Sequence, residues 1–220
     1  MTLVIKRVKA ETVSIEERMR VSKEKAAQNR EKILTSAARL FREHGIGATG
    51  VDSITEDAGL THGGLYSQFG SKEAIAAEAI RVALAKSQHL WQVLAERKRR
   101  KKVMPAIVAQ YLSPAHRDSA GRGCVVAALG SEIARQPRTV RDSFTCEFKH
   151  SLKSLTKLMR DDDPASGKDD AIAAFVSMVG ALILARAVSD ETLSDQILKS
   201  TAKHITGASR RSRTTQSTRR

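Results

Sequence analysis

The sequence predicts an all-α protein in which an N-terminal helix-turn-helix domain is followed by a helical bundle. Three observations lead to this prediction. Apolar residues recur at the three- and four-residue spacing of helices along most of the chain, and few segments alternate as strands do. Only four of the 220 residues are proline, and aromatic residues make up 4%, which suits helices packed through alanine and leucine. Hydrophobic residues make up 41%, enough for a buried core.

The first 20 residues show little helical or strand periodicity. We expect them to form a disordered, dispensable extension, with Met19 as an alternative translation start. Their opening ten residues are too short and too charged for a secretory signal. The first predicted helix follows and ends at Gly45, because glycine is a typical stop signal. Its apolar residues at helical spacing are Ile33, Leu34, Ala37, Ala38, Leu40 and Phe41.

Two short helices come next, joined by a turn that begins with glycine. Thr49 opens a Thr-x-x-Asp pattern and is predicted to cap the first of them. Gly59 supplies the left-handed residue that ends this helix, and Thr61 is predicted to cap the second. Such a pair is a helix-turn-helix, whose second helix enters the major groove of DNA, although an ordinary helical hairpin gives the same pattern.

The glycines of this region also invite comparison with a phosphate-binding loop. That motif has a lysine directly after its last glycine, whereas Ser71 separates Gly70 from Lys72 here. Gly64 and Gly70 lie one residue too far apart, bulky residues stand between them, and no strand-like run precedes them. The sequence therefore favours a pair of helices over a nucleotide site.

Beyond residue 70 the chain has the pattern of successive helices. The segment HRDSAGRG at 116–123 is predicted to be a loop, and DDDPASGKDD at 161–170 to separate two helices. The predicted helices are 75–94, 104–112, 124–134, 137–158, 171–188 and 193–205. The predicted domains are a disordered extension (1–20), a helix-turn-helix domain (21–70), a helical domain (71–206) and a disordered basic tail (207–220).

The location of the positive charge matters more than its sum. Most of the net charge of +14 lies in RKRRKK at 97–102 and in the stretch 203–220, and +2 remains without them. We interpret RKRRKK as a solvated helix end or loop. The segment 45–70 contains no lysine or arginine, so attraction to phosphates must come from its flanks. The flanking cations are Lys23, Lys25, Arg30, Lys32 and Lys72.

The segment from Gln28 to Ala79 resembles the DNA-binding domain of the tetracycline-repressor (TetR) family of bacterial regulators. The resemblance lies in ILTSAARLFREHG, in VDSITEDAGLTHGGLYSQFGSKEAI and above all in the Leu-Tyr-x-x-Phe-x-Ser-Lys-Glu core at 65–73. It implies a homodimeric transcriptional regulator that binds an inverted-repeat operator in double-stranded DNA. It further implies repression by blocking RNA polymerase, with release by a small-molecule effector, although activation stays open.

The resemblance also implies roles for individual residues. Exposed positions of the second short helix would meet base edges, and its glycines would let the backbone approach the DNA closely. Tyr66 and Gln68 would contact the phosphate backbone, and Lys72 would meet a phosphate at the start of the next helix. The expected DNA-binding residues are Thr49, Thr61, His62, Gly63, Tyr66, Ser67, Gln68 and Lys72.

The predicted helix over 171–188 is apolar around much of its circumference, which favours a partner helix in addition to its own core. The segment VGALILARAVSDETLSDQIL resembles the family's dimerisation region, where the last two long helices pair with their copies. A helix central to its own domain is the alternative. The expected interface residues are Phe175, Met178, Val179, Leu182, Ile183, Arg186, Leu193 and Ile197.

The segment 111–135 resembles part of one branch of the family's ligand domains. Cys124 follows two glycines, so we expect it in the first turn of its helix. There the helix dipole and a nearby His116, Arg117 or Arg122 would favour the reactive thiolate and make Cys124 a sensor of electrophiles or oxidants. The alternative is a small, buried, inert thiol. The expected pocket residues are Trp91, Tyr111, His116, Cys124, Glu132 and Phe144.

Other kinds of site find little support in the sequence. The six histidines lack the spacing of metal ligands, no serine-hydrolase signature occurs, and we expect no catalytic residue, metal or cofactor. Two cysteines without a signal segment indicate the reducing cytoplasm, and we expect no membrane partner. Two other functions stay open, a non-specific basic nucleic-acid-binding protein and a helical ligand-binding enzyme.

Overall fold

The described part of the chain is helical throughout its regular elements. In a computed structural model, the backbone is described over residues 2–97 and 103–217, and the side chains over 23–97 and 103–207. Neither backbone range contains a strand, which confirms the all-α prediction. The helices are α1 (Thr2–His44), α2 (Val51–Asp57), α3 (His62–Phe69), α4 (Lys72–Arg97), α5 (Val103–Tyr111), α6 (Pro114–Asp118), α7 (Val125–Ile133), α8 (Arg138–Asp162), α9 (Lys168–Ala187) and α10 (Glu191–Ser217).

The structure differs from the sequence expectation at both ends of the chain. Helix α1 begins at Thr2 and α10 ends at Ser217, so residues 2–20 and 207–217, which were expected to be disordered, are helical. No proline or glycine occurs before Gly45, which means that nothing in the sequence interrupts α1. Of the basic run RKRRKK, residues 98–102 lie outside the described ranges, as do the side chains of the tail from 208.

The segment predicted as a loop before Cys124 has regular structure. Helix α6 starts with Pro114 at its first position, and the Ser113 hydroxyl accepts a hydrogen bond from the His116 N–H at 3.2 Å. A 3₁₀ turn over Ala120–Arg122 then leads to α7. This compact connection brings His116 back to the start of α7.

The first hydrophobic core surrounds the helix-turn-helix. It joins α1–α4 to α7 and the start of α8, so it crosses the boundary drawn at residue 70. Its fully buried side chains include Ile33, Phe41, Ile54, Leu65, Ile75, Ile80 and Leu129.

The second core lies among α4, α5, α8, α9 and α10. Helix α9 contributes Phe175, Met178 and Leu182, which are 0–3% exposed. By length and composition α9 could span a membrane. Its buried face packs on α7, α8 and α10, an arrangement that also fits the core helix of a globular domain.

Candidate DNA-reading face and effector pocket

Helix α3 presents a polar face to solvent. Leu65 is fully buried beneath it, whereas Thr61, His62 and Ser67 are exposed and Tyr66 is 49% exposed. Thr61 occupies the N-cap position as predicted, but its hydroxyl makes no capping hydrogen bond. The short helix therefore has one buried anchor, and most of the residues expected to meet DNA lie on its accessible side.

The glycines of α3 leave open space on this face. A Cβ atom added at Gly63 or Gly64 would meet no heavy atom within 4 Å, and neither glycine has a left-handed φ. The fold itself therefore does not require glycine at these positions. Their lack of a side chain instead lets another molecule come close to the α3 backbone.

Two of the acidic residues near this face have side-chain partners. Asp52 on α2 pairs with the imidazole of His62, and Asp57 pairs with Arg39 of α1 at 2.5 Å. Hydrogen bonds from Ser36 and Arg39 lower the pKa of Asp57. The contact with Asp52 ties the His62 ring to α2, a restraint that sequence spacing did not indicate.

Two residues expected to contact DNA are turned inward instead. Thr49 is 3% exposed and does not cap α2, because its hydroxyl donates to the carbonyl oxygens of Gly45 at 2.6 Å and Leu40 at 3.3 Å. Gly50 is the N-cap residue of α2. The Gln68 Oε1 atom is buried without a hydrogen-bond partner among the described residues. Thr49 is therefore withdrawn from the expected DNA contacts, and Gln68 does not present its oxygen to solvent.

The flanking cations divide into free and occupied groups. Lys23, Lys25 and Lys32 are exposed along α1. Arg30 is occupied, because it pairs with Glu78, donates to the Gln68 carbonyl oxygen at 2.9 Å and stacks on the Phe69 ring. Lys72 donates to the carbonyl oxygen of Gly47 at 3.2 Å. Arg30 thus holds α1 to α3 and α4 and is not a free phosphate ligand.

A cavity of about 300 Å³ lies in the second core. Four of the six expected pocket residues line it: Trp91, Tyr111, His116 and Cys124. Its other walls are mostly apolar or uncharged, and they include Leu84, Ser87, Leu90, Ile107, Gln110, Ser151 and Phe175.

The two remaining residues expected in the pocket lie elsewhere. Phe144 packs against the first core and stacks on Phe148, with ring centroids 5.5 Å apart. Glu132 stands near the far end of α7 from Cys124, and its carboxylate accepts hydrogen bonds from the backbone N–H groups of Ile46 and Gly47. Neither residue therefore lines this cavity.

His116 bridges two residues of the cavity wall. Its Nδ1 atom lies 2.6 Å from the Tyr111 carbonyl oxygen, and its Nε2 atom accepts from the Cys124 N–H at 3.0 Å. These partners select the neutral tautomer with the proton on Nδ1. Burial lowers the pKa of His116, and the nearby Arg186 guanidinium acts in the same direction.

The Tyr111 hydroxyl is buried and has no hydrogen-bond partner among the described residues. Burial, assisted by the neighbouring Cys124 thiol, raises the pKa of Tyr111 well above its usual value, so the phenol keeps its proton. A buried polar hydrogen without a partner is costly, and this one belongs to a residue that lines the cavity. It is therefore available to a ligand.

Two arginines near Cys124 were not predicted as neighbours of the cysteine. Arg186, which was expected at the dimer interface, donates to the carbonyl oxygens of His116 and Arg117 of its own chain, both at 2.9 Å. Arg42 donates to the Gly121 carbonyl oxygen at 2.7 Å. Arg117 turns towards α10 and pairs with Asp195 at 3.1 Å. Cys124 itself is the N-cap residue of α7 and is 8% exposed.

Glycines permit the tight packing before Cys124. A Cβ atom added at Gly123 would lie 2.9 Å from both Arg186 and the Nε2 atom of His116. One added at Gly121 would lie 2.1 Å from the Glu43 carboxylate. These two positions therefore have no room for a larger residue unless their neighbours move.

Part of the expected dimer interface is buried within the chain. Phe175, Met178 and Leu182 face the second core, whereas Ile183 and Leu193 are each 43% exposed. Val179 and Ile197 are half-buried. The exposed large apolar residues of α9 and α10, which we term the α9–α10 face, are Val176, Ile183, Leu184 and Leu193.

Ligand atoms of Cys146, Glu147 and His150 on α8 lie within 4.8 Å of one another. This is the cluster of potential metal-binding side chains in the part of the chain whose side chains are described. Glu147 and His150 also form an ordinary ion-pair geometry at 3.7 Å.

Comparisons with known proteins agree with this architecture. The family described as "Bacterial regulatory proteins, tetR family" matches residues 33–79. An uncharacterized HTH-type transcriptional regulator of Mycobacterium tuberculosis, MT0206, is 25% identical over 176 residues, covering 76% of this chain and 89% of the relative. The HTH-type transcriptional repressor KstR2 of Mycolicibacterium smegmatis is 40% identical over 55 residues, 25% of this chain and 27% of that protein.

A solved structure shares the fold over most of the chain. The TetR-family transcriptional regulator from Agrobacterium tumefaciens superposes with a TM-score of 0.69 at 19% identity, covering 81% of this chain and 98% of that one. An exposed short helix after a glycine turn, joined to a helical bundle, is the arrangement of a helix-turn-helix regulator of transcription. Residues 33–79 match the TetR family of bacterial regulatory proteins, and most of the chain shares the fold of TetR-family regulators.

Proposed function

We propose that the protein is a homodimeric transcriptional repressor that binds an inverted-repeat operator in the bacterial cytoplasm and leaves it when an effector fills the cavity. The observation that supports this most is the buried Tyr111 hydroxyl in the cavity, which has no hydrogen-bond partner among the residues whose side chains are described. The match to KstR2, a named repressor, supports repression over activation. We assign the protein no catalytic activity.

The shortness of α3, the helix proposed to contact the bases, favours a dimer. Helix α3 has eight residues and can meet only a few base pairs. Two copies related by a twofold axis would read two half-sites about one helical turn apart or a little more. The α9–α10 face supports this arrangement, because it exposes four large apolar side chains on adjacent helices.

The cavity favours a small, largely apolar effector with at least one polar group. Its volume of about 300 Å³ is at the lower end of the range for ligand pockets. Trp91, Ile107 and Phe175 supply apolar contact, and the Tyr111 hydroxyl can donate to a carbonyl or ether oxygen of the effector. His116 is held neutral and offers an anionic group no charge, whereas Arg122 on the cavity wall can offer one.

Cys124 gives a second form of the same function, in which the effector is an electrophile. Its sulfur belongs to the cavity wall beside Tyr111. The thiolate would add to the β-carbon of an α,β-unsaturated carbonyl compound, forming an S–C bond as the C=C electron pair moves to the carbonyl oxygen. The resulting enolate, hydrogen-bonded by Tyr111, would then take a proton from water. The net reaction adds S–H across the double bond without oxidation.

Selection of DNA from a random duplex pool tests the DNA-binding part of this proposal. Wild-type protein should enrich an inverted repeat and retain it against excess random DNA. Enrichment without sequence preference, with binding lost steeply as salt rises, would instead identify a non-specific basic nucleic-acid-binding protein.

Operator release by N-ethylmaleimide tests the covalent form. The comparison is between wild type, Cys124→Ser and Cys146→Ser. Cys146 is exposed on α8 and is the more accessible thiol, which makes it the necessary control. The covalent form requires that wild type and Cys146→Ser release the operator and that Cys124→Ser does not. Equal release by the Cys124 variant, or no release by wild type, leaves a reversibly bound organic effector as the proposal.

A further inference from the structure

The loop between α1 and α2 is held by a carboxylate that is distant in sequence. The Glu132 Oε2 atom accepts from the Ile46 N–H at 2.9 Å, and its Oε1 atom accepts from the Gly47 N–H at 2.5 Å. Two successive backbone amides thus bind one carboxylate. Hydrogen bonds to a charged acceptor are among the stronger ones in proteins.

This loop sets the position of the helix-turn-helix relative to α1. Gly45 ends α1 with a left-handed φ of +88°, and Ile46 is 3% exposed within the first core. On the other side of the loop, Lys72 of α4 donates to the Gly47 carbonyl oxygen. A Cβ atom added at Gly45 would lie 2.9 Å from the Glu132 carboxylate, so glycine permits its close approach.

The other end of α7 belongs to the cavity. Cys124 is the N-cap of α7 and lines the cavity, and its N–H is held by His116. Eight residues separate Cys124 from Glu132, or about 12 Å along a helix at 1.5 Å per residue. The 3₁₀ turn before Cys124 is also bonded to α1, through Arg42 and the Gly121 carbonyl oxygen.

We propose that Glu132 is a positioning residue for DNA binding, and that α7 transmits displacement of its Cys124 end to the loop at Gly45–Gly47. When the N-terminal end of α7 moves, the carboxylate moves with it and the two amides lose their acceptor. The first part depends only on DNA binding, whereas the regulatory part rests on the effector function proposed above. Helix α4 also runs from the cavity wall, at Trp91, to this loop, where Lys72 donates to the Gly47 carbonyl oxygen, so the cycle described below must separate α7 from α4.

Amide hydrogen exchange on the DNA-free protein tests the positioning role directly. Glu132→Ala should raise exchange of the Ile46 and Gly47 amides by about tenfold or more, because both lose a charged acceptor. Glu132→Gln, which keeps one acceptor oxygen, should give an intermediate rise. Ser131→Ala, an exposed neighbour on α7, is the matched control and should change nothing. Unchanged exchange of the two amides in Glu132→Ala would overturn the role.

A double-mutant cycle with His116 tests transmission without any effector. In otherwise wild-type protein, His116→Ala should raise amide exchange in the Gly45–Gly47 loop. In the Glu132→Ala variant, whose loop amides have already lost their acceptor, it should cause no further rise. His116→Gln, which restores an acceptor near the position of Nε2, should return exchange towards wild type. Additive effects of His116→Ala and Glu132→Ala would overturn transmission through α7.

Binding to the selected duplex completes the test. Glu132→Ala should weaken operator binding about tenfold or more while its thermal unfolding stays close to that of Ser131→Ala. A general loss of stability without a local change in exchange would show that Glu132 only stabilises the fold. If no specific duplex is found, the proposed repressor function fails, while the exchange experiment still decides the role of Glu132.

Discussion

The Nε2 atom of His116 lies 3.0 Å from the backbone nitrogen of Cys124 and accepts its hydrogen bond. Together with the bond from Nδ1 to the Tyr111 carbonyl oxygen, this contact fixes one neutral tautomer of the ring. A second proton, on Nε2, would face the Cys124 N–H and break the contact. The cavity end of α7 is therefore sensitive to acid.

The first prediction is that the folded protein loses stability as the pH falls below about 6.5, the ordinary pKa of histidine. The folded state depresses the pKa of His116, so below 6.5 the unfolded chain binds a proton that the folded chain resists. Stability is therefore complete above this pH and declines towards the folded pKa. Thermal unfolding from pH 7.5 to 5 should show a shallower decline for His116→Gln. Parallel curves for the two proteins would contradict the assignment.

The second prediction separates affinity from sequence discrimination. Lys72→Ala should weaken binding to all duplexes similarly and reduce the slope of log affinity against log salt by about one. His62→Ala should relax discrimination at one operator position per half-site, because the exposed ring on α3 is the expected base contact. Binding measured on the selected duplex and on single-base variants checks both. Wild-type behaviour of both variants would show that α3 is not the reading helix.

The third prediction concerns Gly63 in α3. Alanine fits the open space there and has the higher helix propensity, so Gly63→Ala should stabilise the fold by about 0.5–1 kcal/mol. The same methyl group should weaken operator binding if the DNA approaches the α3 backbone. Gly130→Ala in α7, where an added Cβ would make an ordinary 3.9 Å contact, is the control for stability without a DNA effect. If Gly63→Ala binds the operator as tightly as wild type does, Gly63 is not needed for close approach of DNA to the α3 backbone.

The fourth prediction concerns the α9–α10 face. Leu184 is 56% exposed, so Leu184→Glu should leave the monomer folded but prevent dimer formation by placing a charge in an apolar interface. Ala85→Glu, at an exposed position of α4, is the control. Sedimentation velocity should show a dimer for wild type and the control and a monomer for Leu184→Glu. A dimer in all three would place the interface elsewhere.

The sequence predicted the helix-turn-helix well, because the residues that specify its helix ends lie close together in the chain. The end of the first helix at Gly45, the left-handed backbone at Gly59 and the position of Thr61 at the start of α3 are confirmed. Thr49 misled because its Thr-x-x-Asp pattern fits a helix cap, whereas its hydroxyl bonds to carbonyl oxygens at the end of α1 and Gly50 takes the cap position. A local pattern cannot show that a hydroxyl already has other partners.

Errors in the second domain arose where contacts are distant in sequence. Helix α9 is apolar on most sides, so its composition could not distinguish Phe175, which faces the chain's own core, from exposed Leu184. Glu132 was assigned to the pocket because it follows Cys124 on one helix, but more than two turns of α7 carry it to the other end. Its partners, Ile46 and Gly47, are more than eighty residues away.

Between Gly45 and Gly70 the chain contains no lysine or arginine, so insertion of α3 into the major groove would by itself displace few counterions from DNA. The contacts of α3 with DNA of random sequence should therefore be short-lived, because binding without sequence preference depends mainly on neutralising phosphates. Most of the dwell time at an operator would come from close fit and base contacts. In a chromosome, where non-operator sites are in large excess, α3 would therefore spend little time bound to sites that are not its operator.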